Sequence, residues 1–454
     1  MSVGVWGAPR RGETHGATRL MEDASQEYVR GLPLARNPAA AERLPAALPM
    51  TRTRAFAPFA AVALLALAGC PRPRPTPAPP VSALEAAGIS PALPGELDSI
   101  MSAAIADHAS PGITIAIGHH GRVVYTHGWG HTDWAAGAPP ANDSTIYDMA
   151  SLTKVIATTT AAMMMEEAGK LDLDSTVVHY LPEFNAPDKA PITIRMLLLH
   201  TSGMRQYQFL YREIKGREAY LQRINAKPVV TPPGTVYTYS DWNMIVLQQV
   251  LERLSGKTLD ALVAERVFTP LGMHDTMFNP PDSLKPRIAP TEIQEFRGGQ
   301  VWGVVHDENA WALGGVAGHA GLFSSARDLG VFVEMLLNGG EYGGVRILRP
   351  ETIARWTARQ TKDESRALGW DTPSYPSSAG RYFSMRSFGH TGFTGTSIWA
   401  DPEKQLFVVL LTNRVDPSRD NAKVGPLRRT VADAVQRAVL DAPLRLWETD
   451  TAAR

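Results

Sequence analysis

The chain has 454 residues, 44% of them hydrophobic and 20% charged, which is an ordinary composition for a globular protein with a large core. Its 45 basic residues balance its 45 acidic residues, so no single-sign field favours binding to nucleic acid. A single cysteine excludes an internal disulfide framework and a thiolate metal cluster.

The N-terminal part has the order of elements that is typical of a bacterial export signal. Arg52 and Arg54 precede an apolar run over residues 55–68, and small residues follow directly before Cys70. At about 14 residues the run is shorter than the roughly 20 that a membrane-spanning helix needs. The tetrapeptide Leu-Ala-Gly-Cys that ends at Cys70 resembles the lipobox of bacterial lipoproteins, which implies lipidation of Cys70 and attachment to a membrane. The alternative is a buried apolar helix that ends in an unmodified cysteine.

These features predict the organisation of the chain. We interpret residues 50–70 as a signal peptide and lipobox, and residues 1–49 as a non-native or disordered extension that precedes the true start. Residues 71–93 are rich in proline and are expected to form an extended linker. A catalytic domain is expected over residues 94–441, followed by a tail over 442–454. The lipid would hold this domain in the periplasm or at the cell exterior.

Hydrophobic periodicity predicts strands near both ends of the domain and helices in its middle. Helices are expected over residues 97–108, 151–168, 244–254, 329–337 and 424–440. Strands are expected over residues 112–117, 122–126, 396–400 and 406–412. This order favours an α+β fold in which both chain ends build one antiparallel sheet, flanked by helices, and the middle forms an inserted helical lobe.

The first candidate for catalysis is the pair Ser151 and Lys154 at the start of a predicted helix. Positions i and i+3 share a helix face, so the hydroxyl and the amine can come within hydrogen-bonding distance. Burial, nearby cations and the helix N-terminus would lower the pKa of the lysine and leave a neutral amine that activates the serine. The backbone N–H of Ser151 could also bind a developing oxyanion. The alternative is an ordinary helix cap with an exposed lysine.

The second candidate is Tyr239, at the junction between a loop and a predicted helix. It directly precedes Ser240 and Asp241 in the sequence. Beside an ammonium group its phenolate form is favoured, so it could shuttle a proton between the nucleophile and the leaving group. The alternative is a packed aromatic ring whose hydroxyl reaches the surface.

The third candidate is the segment His390-Thr391-Gly392, which comes shortly before a predicted strand. Glycine there would let a substrate backbone lie close to the strand edge. The backbone N–H of Phe393 could be the second oxyanion donor, and His390 could hydrogen-bond or carry charge beside the substrate. The alternative is a glycine-rich start of a strand with a solvent-facing histidine.

Together and in this order, the three segments resemble the active-site motifs of the serine β-lactamase and penicillin-binding protein superfamily. The likeness is closest to its branch of class C β-lactamases, D-alanyl-D-alanine carboxypeptidases and esterases, and it spans roughly residues 94–440. It implies a β-lactamase/transpeptidase-like fold of two lobes, an acyl-enzyme on Ser151, and neither a metal nor another cofactor. It also implies substrate contacts from four residues, namely Asp241, His390, Thr391 and Gly392.

Two positions depart from the family pattern. The second motif usually ends in asparagine, whereas Asp241 only accepts hydrogen bonds and would hold Lys154 protonated by charge pairing. His390 stands where many β-lactamases have lysine, and it is a weaker, pH-dependent partner for a substrate carboxylate. Both changes disfavour β-lactam hydrolysis and favour a peptidase or an esterase. The expected substrate is a D-alanyl peptide of the cell wall, with a β-lactam, a carboxylic ester and a non-catalytic binding role as alternatives.

Other histidines lie outside these motifs. His119, His120, His127 and His131 fall in a predicted hairpin and the loop after it, without the i, i+4 spacing of a helical metal site. We therefore expect a polar turn there rather than a metal site. His319 and residues 306–309 are expected either to line the cleft or to form a structural loop.

Overall fold

The computed structural model describes residues 82–446 apart from positions 363, 375 and 376. The predicted extension, the signal peptide with Cys70 and residues 71–81 of the predicted linker lie outside the described residues, as does most of the predicted tail. In the described part of the chain, no helix combines the length and the apolar character needed to cross a membrane.

The strands of the five-stranded sheet lie near the two ends of the domain, and short strands lie between them. They are β1 (Gly112–His119), β2 (Val123–Gly130), β3 (Ile146–Asp148), β4 (Met277–Phe278), β5 (Ile293–Gln294), β6 (Gly299–Gln300), β7 (Leu322–Ser325), β8 (Glu341–Tyr342), β9 (Val345–Arg346), β10 (Phe388–Thr391), β11 (Ser397–Asp401) and β12 (Leu406–Thr412).

The helices fill the space between them. They are α1 (Leu93–Ala106), α2 (Thr160–Glu167), α3 (Val177–Tyr180), α4 (Ile194–Leu198), α5 (Arg217–Ala226), α6 (Asp241–Ser255), α7 (Leu259–Val263), α8 (Glu308–Ala312), α9 (Ala326–Leu337), α10 (Pro350–Thr357) and α11 (Val424–Arg437). Two π-helical segments, Lys154–Thr159 and Ala264–Phe268, interrupt this pattern.

The central sheet has the strand order β10-β11-β12-β1-β2, and each neighbouring pair is antiparallel. The two ends of the domain meet where β1 pairs with β12, with Ile115 opposite Leu410. The predicted α+β fold, with one sheet built from both chain ends, is therefore confirmed. β2 extends to Gly130, beyond the predicted end at residue 126, because its pairing with β1 continues that far.

The alternation of side chains along β1 decides which layer each one joins. Ile113, Ile115 and Ile117 belong to the hydrophobic core that also includes apolar residues of α1 and α11. Ala116 points the other way and belongs to the core of the helical lobe. All of β1 is buried as a result, and burial on both faces specifies its register.

The predicted start of the first helix is corrected by the structure. α1 begins at Leu93 rather than at residue 97, because Pro94 fits the first turn of a helix. Before α1, Ile89 forms a β-bridge with Val439, which joins this segment to the chain after α11.

The predicted single helix over residues 151–168 is also corrected. Lys154–Thr159 is a π-helix, and α2 follows it directly. All six side chains of the π-helical segment are buried, and the hydroxyl of Thr160 donates to the carbonyl of Val155 at 3.0 Å. Such wide turns are frequent at functional sites, and this one carries Lys154.

Candidate active site

Ser151 lies in the tight turn between β3 and the π-helix. Ala150, directly before it, has φ of 45°, which is uncommon for a residue with a Cβ atom. The buried carboxylate of Asp148 accepts hydrogen bonds from the backbone N–H groups of Ala150 and His306, both at 2.7 Å. Asp148 therefore stabilises the turn that presents the Ser151 hydroxyl.

The side-chain nitrogen of Lys154 is surrounded by hydrogen-bond acceptors. Nζ lies 2.8 Å from Oγ of Ser151, 2.8 Å from Oδ1 of Asp241 and 3.1 Å from the carbonyl oxygen of His319, and it also hydrogen-bonds with the side chain of Tyr239. The lysine side chain has no solvent exposure. An ammonium group has only donors, so this surrounding fits a protonated lysine.

The electrostatics of the site agree with this geometry. Burial by itself lowers the pKa of Lys154, but the charge of Asp241, and after it Tyr239, outweighs burial and raises that pKa above its ordinary value. Of the two expectations for Lys154, a neutral amine and a lysine held protonated by Asp241, the structure favours the second. The charge pairing expected for Asp241 is present, and it keeps Lys154 charged in the resting protein.

Tyr239 lies beside Lys154 and between two buried histidines. The centroid of its ring is 5.0 Å from Nζ of Lys154, 4.6 Å from the ring of His200 and 6.0 Å from the ring of His390. His200 also positions the following residue, since its Nδ1 accepts the backbone N–H of Ser240 at 3.1 Å. The fold thus brings the three predicted motifs together in one cluster.

His390 is buried rather than facing solvent. Its Nδ1 donates to the carbonyl of Thr391 at 2.8 Å, because a carbonyl oxygen can only accept. Burial, then the charges of Arg366 and Lys154, hold the pKa of His390 well below its ordinary value. A lowered pKa favours the neutral ring, so of the two roles expected for His390, hydrogen bonding and carrying charge beside the substrate, the structure favours the first.

A cation that the sequence analysis did not identify lies beside this cluster. The guanidinium carbon of Arg366 is 5.2 Å from the Tyr239 ring centroid, and its Nε donates to the hydroxyl of Tyr237 at 2.9 Å. Arg366 is buried. Arg366 lies between α10 and β10, in a segment that contains none of the three motifs. The sequence around it therefore gives no indication that it belongs to the active site.

The loop that carries Phe393 is fixed against the turn before the nucleophile. The hydroxyls of Thr394 and Thr396 donate to the backbone carbonyls of Asp148 and Met149, at 2.7 and 3.1 Å. The two backbone segments with the expected oxyanion donors therefore lie side by side. Phe393 is 39% exposed, and the guanidinium of Arg414 lies 4.5 Å from its ring centroid.

Gly392 makes this close approach possible. A Cβ atom at this position would lie 2.5 Å from the carbonyl oxygen of Met149, a separation that real Cβ atoms do not show. Arg428 of α11 holds the same loop from outside, since its Nη2 donates to the carbonyls of Gly392 and Thr396, both at 2.7 Å. Thr391 ends β10, an edge strand of the central sheet, and is partly exposed.

Asp307 and His319 extend the polar cluster next to Lys154. Nε2 of His319 is 2.9 Å from Oδ1 of Asp307. Burial acts to raise the pKa of Asp307, but His319 and Lys154 outweigh it and hold that pKa far below its ordinary value. Asp241, Asp307 and His319 place ligand-type atoms within 4.8 Å of one another. The Lys154 ammonium supplies a positive charge to this cluster. Asp307 also caps α8 by accepting the backbone N–H of Ala310 at 2.7 Å, so both expected roles, lining the cleft and holding a structural loop, stay open for Asp307 and His319.

The fold and this cluster define a class of protein, the hydrolases that use an active-site serine with a lysine beside it. The family model described as Beta-lactamase matches residues 97–433, and the chain belongs to that family. The resemblance seen in the sequence is thereby confirmed.

Relatives and solved structures agree with this assignment. A Salmonella agona (strain SL483) protein, provisionally named D-alanyl-D-alanine carboxypeptidase, is 32% identical over 356 residues, which cover 70% of this chain and 82% of that protein. EstCE1, described as a hydrolase with promiscuous acyltransferase activity, is 25% identical with a TM-score of 0.59, over 76% of this chain and 98% of EstCE1. A penicillin-binding protein homologue from Caulobacter crescentus shares the fold, with a TM-score of 0.63 and 20% identity over 77% of this chain and 99% of the homologue. The chain is a serine hydrolase of this family.

Proposed function

We propose that this enzyme is a D-alanyl-D-alanine carboxypeptidase-type hydrolase that acts on cell-wall peptides through an acyl-enzyme. The observation that carries the proposal is the buried guanidinium of Arg366 beside Tyr239, whose charge also acts on His390. A substrate that ends in a free carboxylate needs such a positive charge, and the neutral His390 cannot provide it. The relatives named as carboxypeptidases support the same substrate class.

The reaction starts from the ion pair of Lys154 and Asp241. A substrate that fills the cleft excludes water, and a drier environment disfavours a charged pair relative to its neutral form. The proton of Nζ then passes to Oδ1 of Asp241 across 2.8 Å, and the freed amine takes the hydroxyl proton of Ser151. Asp241 therefore stores a proton in addition to lining the substrate site.

The activated Oγ of Ser151 attacks the carbonyl carbon of the scissile peptide bond. The backbone N–H groups of Ser151 and Phe393 bind the oxyanion. Tyr239 gives its hydroxyl proton to the leaving nitrogen and takes one from Lys154, so the C–N bond breaks and D-alanine leaves. Water then attacks the ester on Ser151, and its proton returns through the same groups as the serine is released. The edge strand β10 can pair with the extended substrate at Thr391, and Gly392 leaves room beside it because it has no side chain.

Intact-mass measurement of the protein mixed with a penicillin, followed over time, tests the substrate class. A long-lived adduct that Ser151→Ala abolishes supports the peptidase-type enzyme. An adduct that clears while the drug is consumed would make the enzyme a β-lactamase instead. No adduct together with turnover of carboxylic esters would make it an esterase, the alternative that the likeness to EstCE1 favours.

The role of Arg366 has a test of its own. D-alanine release from an N-acylated D-alanyl-D-alanine should exceed release of alanine amide from the C-terminal amide of the same peptide, because only the free acid carries the carboxylate. Arg366→Gln should remove most of that preference. Arg355→Gln, which changes a surface ion pair with Glu166, is the matched control. An unchanged preference in Arg366→Gln would contradict the proposed carboxylate recognition.

We propose further that the enzyme is exported and held to a membrane by a lipid on Cys70. The basic residues, the short apolar run and the small residues before Cys70 support export, and the proline-rich stretch after it suits a spacer. Cys70→Ser should move the protein from the membrane fraction to the soluble exported fraction. Equal membrane association of both forms would rule out the lipid anchor.

A further inference from the structure

A second cluster of ionisable side chains lies outside the active site, where the turn after β1 meets the chain after α11. Nε2 of His119 is 3.1 Å from Oδ1 of Asp441, and Nε2 of His120 is 2.8 Å from Oδ2 of the same carboxylate. The two imidazole rings stack with their centroids 3.9 Å apart. The ligand-type atoms of all three residues lie within 4.8 Å of one another.

We propose that His119, His120 and Asp441 form a binding site for a divalent transition-metal ion of the zinc type. Two imidazole nitrogens and a carboxylate are ligands that zinc prefers. Ligand atoms around a tetrahedral zinc ion stand about 3.3 Å apart, given bond lengths of about 2.0 Å. Two of the three spacings are close to that value, since the carboxylate oxygens of Asp441 lie 3.1 Å from Nε2 of His119 and 2.8 Å from Nε2 of His120. The imidazole rings, which stack in the ion-free protein, would have to rotate so that both Nε2 lone pairs point at the ion.

One side of the cluster is open to solvent. The side chain of His119 has no exposure, whereas those of His120 and Asp441 are 53% and 40% exposed. A bound ion would therefore be coordinated by the buried His119 and by the two exposed side chains, and water would occupy its remaining coordination positions. This arrangement is typical of a partly exposed site with three protein ligands.

The backbone holds the three ligands in place. His120 and Gly121 both have positive φ, at 51° and 76°, which makes the turn after β1 tight. The N–H of Leu440 donates to the carbonyl of Gly88 at 2.8 Å, which fixes the chain directly before Asp441. A Cβ atom on Gly88 would lie 2.2 Å from Oδ2 of Asp441, so a glycine is needed for the carboxylate to reach the histidines.

The second ring nitrogen of His119 limits the affinity expected of the site. To bind a metal through Nε2 the ring must carry its proton on Nδ1, which is buried and has no partner among the described residues. Metal-bound imidazoles usually donate that second N–H, so we expect a dissociation constant on the order of micromolar rather than the tighter binding of a structural zinc site.

Binding would stabilise the domain where its two ends meet. The ion would join the turn after β1 to the chain that follows α11, which itself pairs with Gly88 and Ile89. A ligand that binds only the folded state raises stability with its concentration. The site does not use any residue of the active-site cluster, so the inference does not depend on the proposed function.

The test is zinc binding by the metal-free full-length protein, measured by calorimetry and by the melting temperature. We expect one zinc ion per chain, a higher melting temperature with excess zinc, and no comparable effect of Mg²⁺, which prefers oxygen ligands. His120→Gln and Asp441→Asn should each weaken binding at least about tenfold. Replacement of zinc by Co²⁺ should give the visible absorption of a site with nitrogen and oxygen ligands.

Two controls keep the result interpretable. His127→Gln changes an exposed histidine of β2 and should bind zinc like the wild type. Unchanged ester or peptide hydrolysis by His120→Gln shows that this variant is folded, since His120 lies outside the active site. No zinc binding by the wild type, or equal binding by the wild type and both site variants, would overturn the proposal and leave the cluster as an ion pair alone.

Discussion

Nζ of Lys154 lies 2.8 Å from Oδ1 of Asp241, and the lysine side chain is fully buried. The second motif of the family usually ends in an amide, which could accept the same N–H without adding charge. Here the carboxylate raises the pKa of Lys154 against the effect of burial. The resting enzyme therefore holds a charged lysine where Ser151 needs a base, and this makes the rate depend on pH.

Asp241→Asn should shift that pH dependence in a defined direction. Without the carboxylate, burial lowers the pKa of Lys154, and the acidic limb of the kcat/KM profile should move to lower pH. If Asp241 also stores the lysine proton, the limiting rate should fall on the order of 10²-fold. The measurement is the pH profile of both forms with one substrate. Superimposable profiles would contradict the role given to this ion pair.

Ser151→Ala and Lys154→Met should each lower kcat by roughly 10³-fold or more, because the nucleophile and its base act as a unit. Ser151→Ala should also abolish covalent labelling while its melting temperature stays close to that of the wild type. Lys154→Met should be less stable at neutral pH, since it leaves the Asp241 carboxylate without its ion-pair partner. Both variants are measured by their kinetics with one common substrate and by thermal unfolding. Substantial turnover by Ser151→Ala would contradict the role of Ser151 as the nucleophile.

Gly392→Ala should damage catalysis through the oxyanion loop. The new Cβ would lie 2.1 Å from Oγ1 of Thr396 and 2.5 Å from the carbonyl of Met149, and the second contact is with backbone that cannot rotate away. Displacing one oxyanion donor typically costs 10²–10³-fold in kcat, so we expect a loss on the order of 10²-fold.

Gly425→Ala is the matched control for this substitution. Nothing lies within 4 Å of a Cβ at Gly425, which is in the first turn of α11. Its kcat should equal that of the wild type. Equal kcat values for the two alanine variants would show that the loop tolerates the displacement.

Glu334→Gln should change how stability depends on pH. Burial raises the pKa of the Glu334 carboxyl on α9 from 4.5 to about 7. Between these two pH values the unfolded chain loses a proton that the folded protein keeps, so the free energy of unfolding falls as pH rises and levels off above pH 7. Glutamine never ionises, and the variant should therefore exceed the wild type in stability at pH 8 but not at pH 4.

Urea unfolding of both proteins at these two pH values measures the effect. The exposed Glu351→Gln is the control, and it should leave the pH dependence as it is in the wild type. A stability difference between Glu334→Gln and the wild type that is the same at pH 4 and pH 8 would contradict the raised pKa of Glu334.

Much of the fold was predictable from local patterns. The alternation in residues 112–117 predicts β1, and the structure confirms that it pairs with a strand from the other end of the domain. The helix expected after Ser151 was wrong in detail, since Lys154–Thr159 is a π-helical segment whose six side chains are all buried. Hydrophobic periodicity predicts each element separately and carries no information about how the side chains of one element pack against the rest of the core.

The sequence by itself determined the family, the sheet that is built from both ends of the domain, and the three segments that form the active-site cluster. Those properties come from residue types and spacings close together in the chain, such as the i, i+3 relation of Ser151 and Lys154. The sequence left both a neutral and a charged Lys154 open, and only the tertiary structure decided in favour of the charged form. It also decided that His390 is buried and neutral and that Arg366 lies beside Tyr239. The physical reason is that a pKa depends on burial and on charges within a few ångströms, and folding brings those charges from distant parts of the chain.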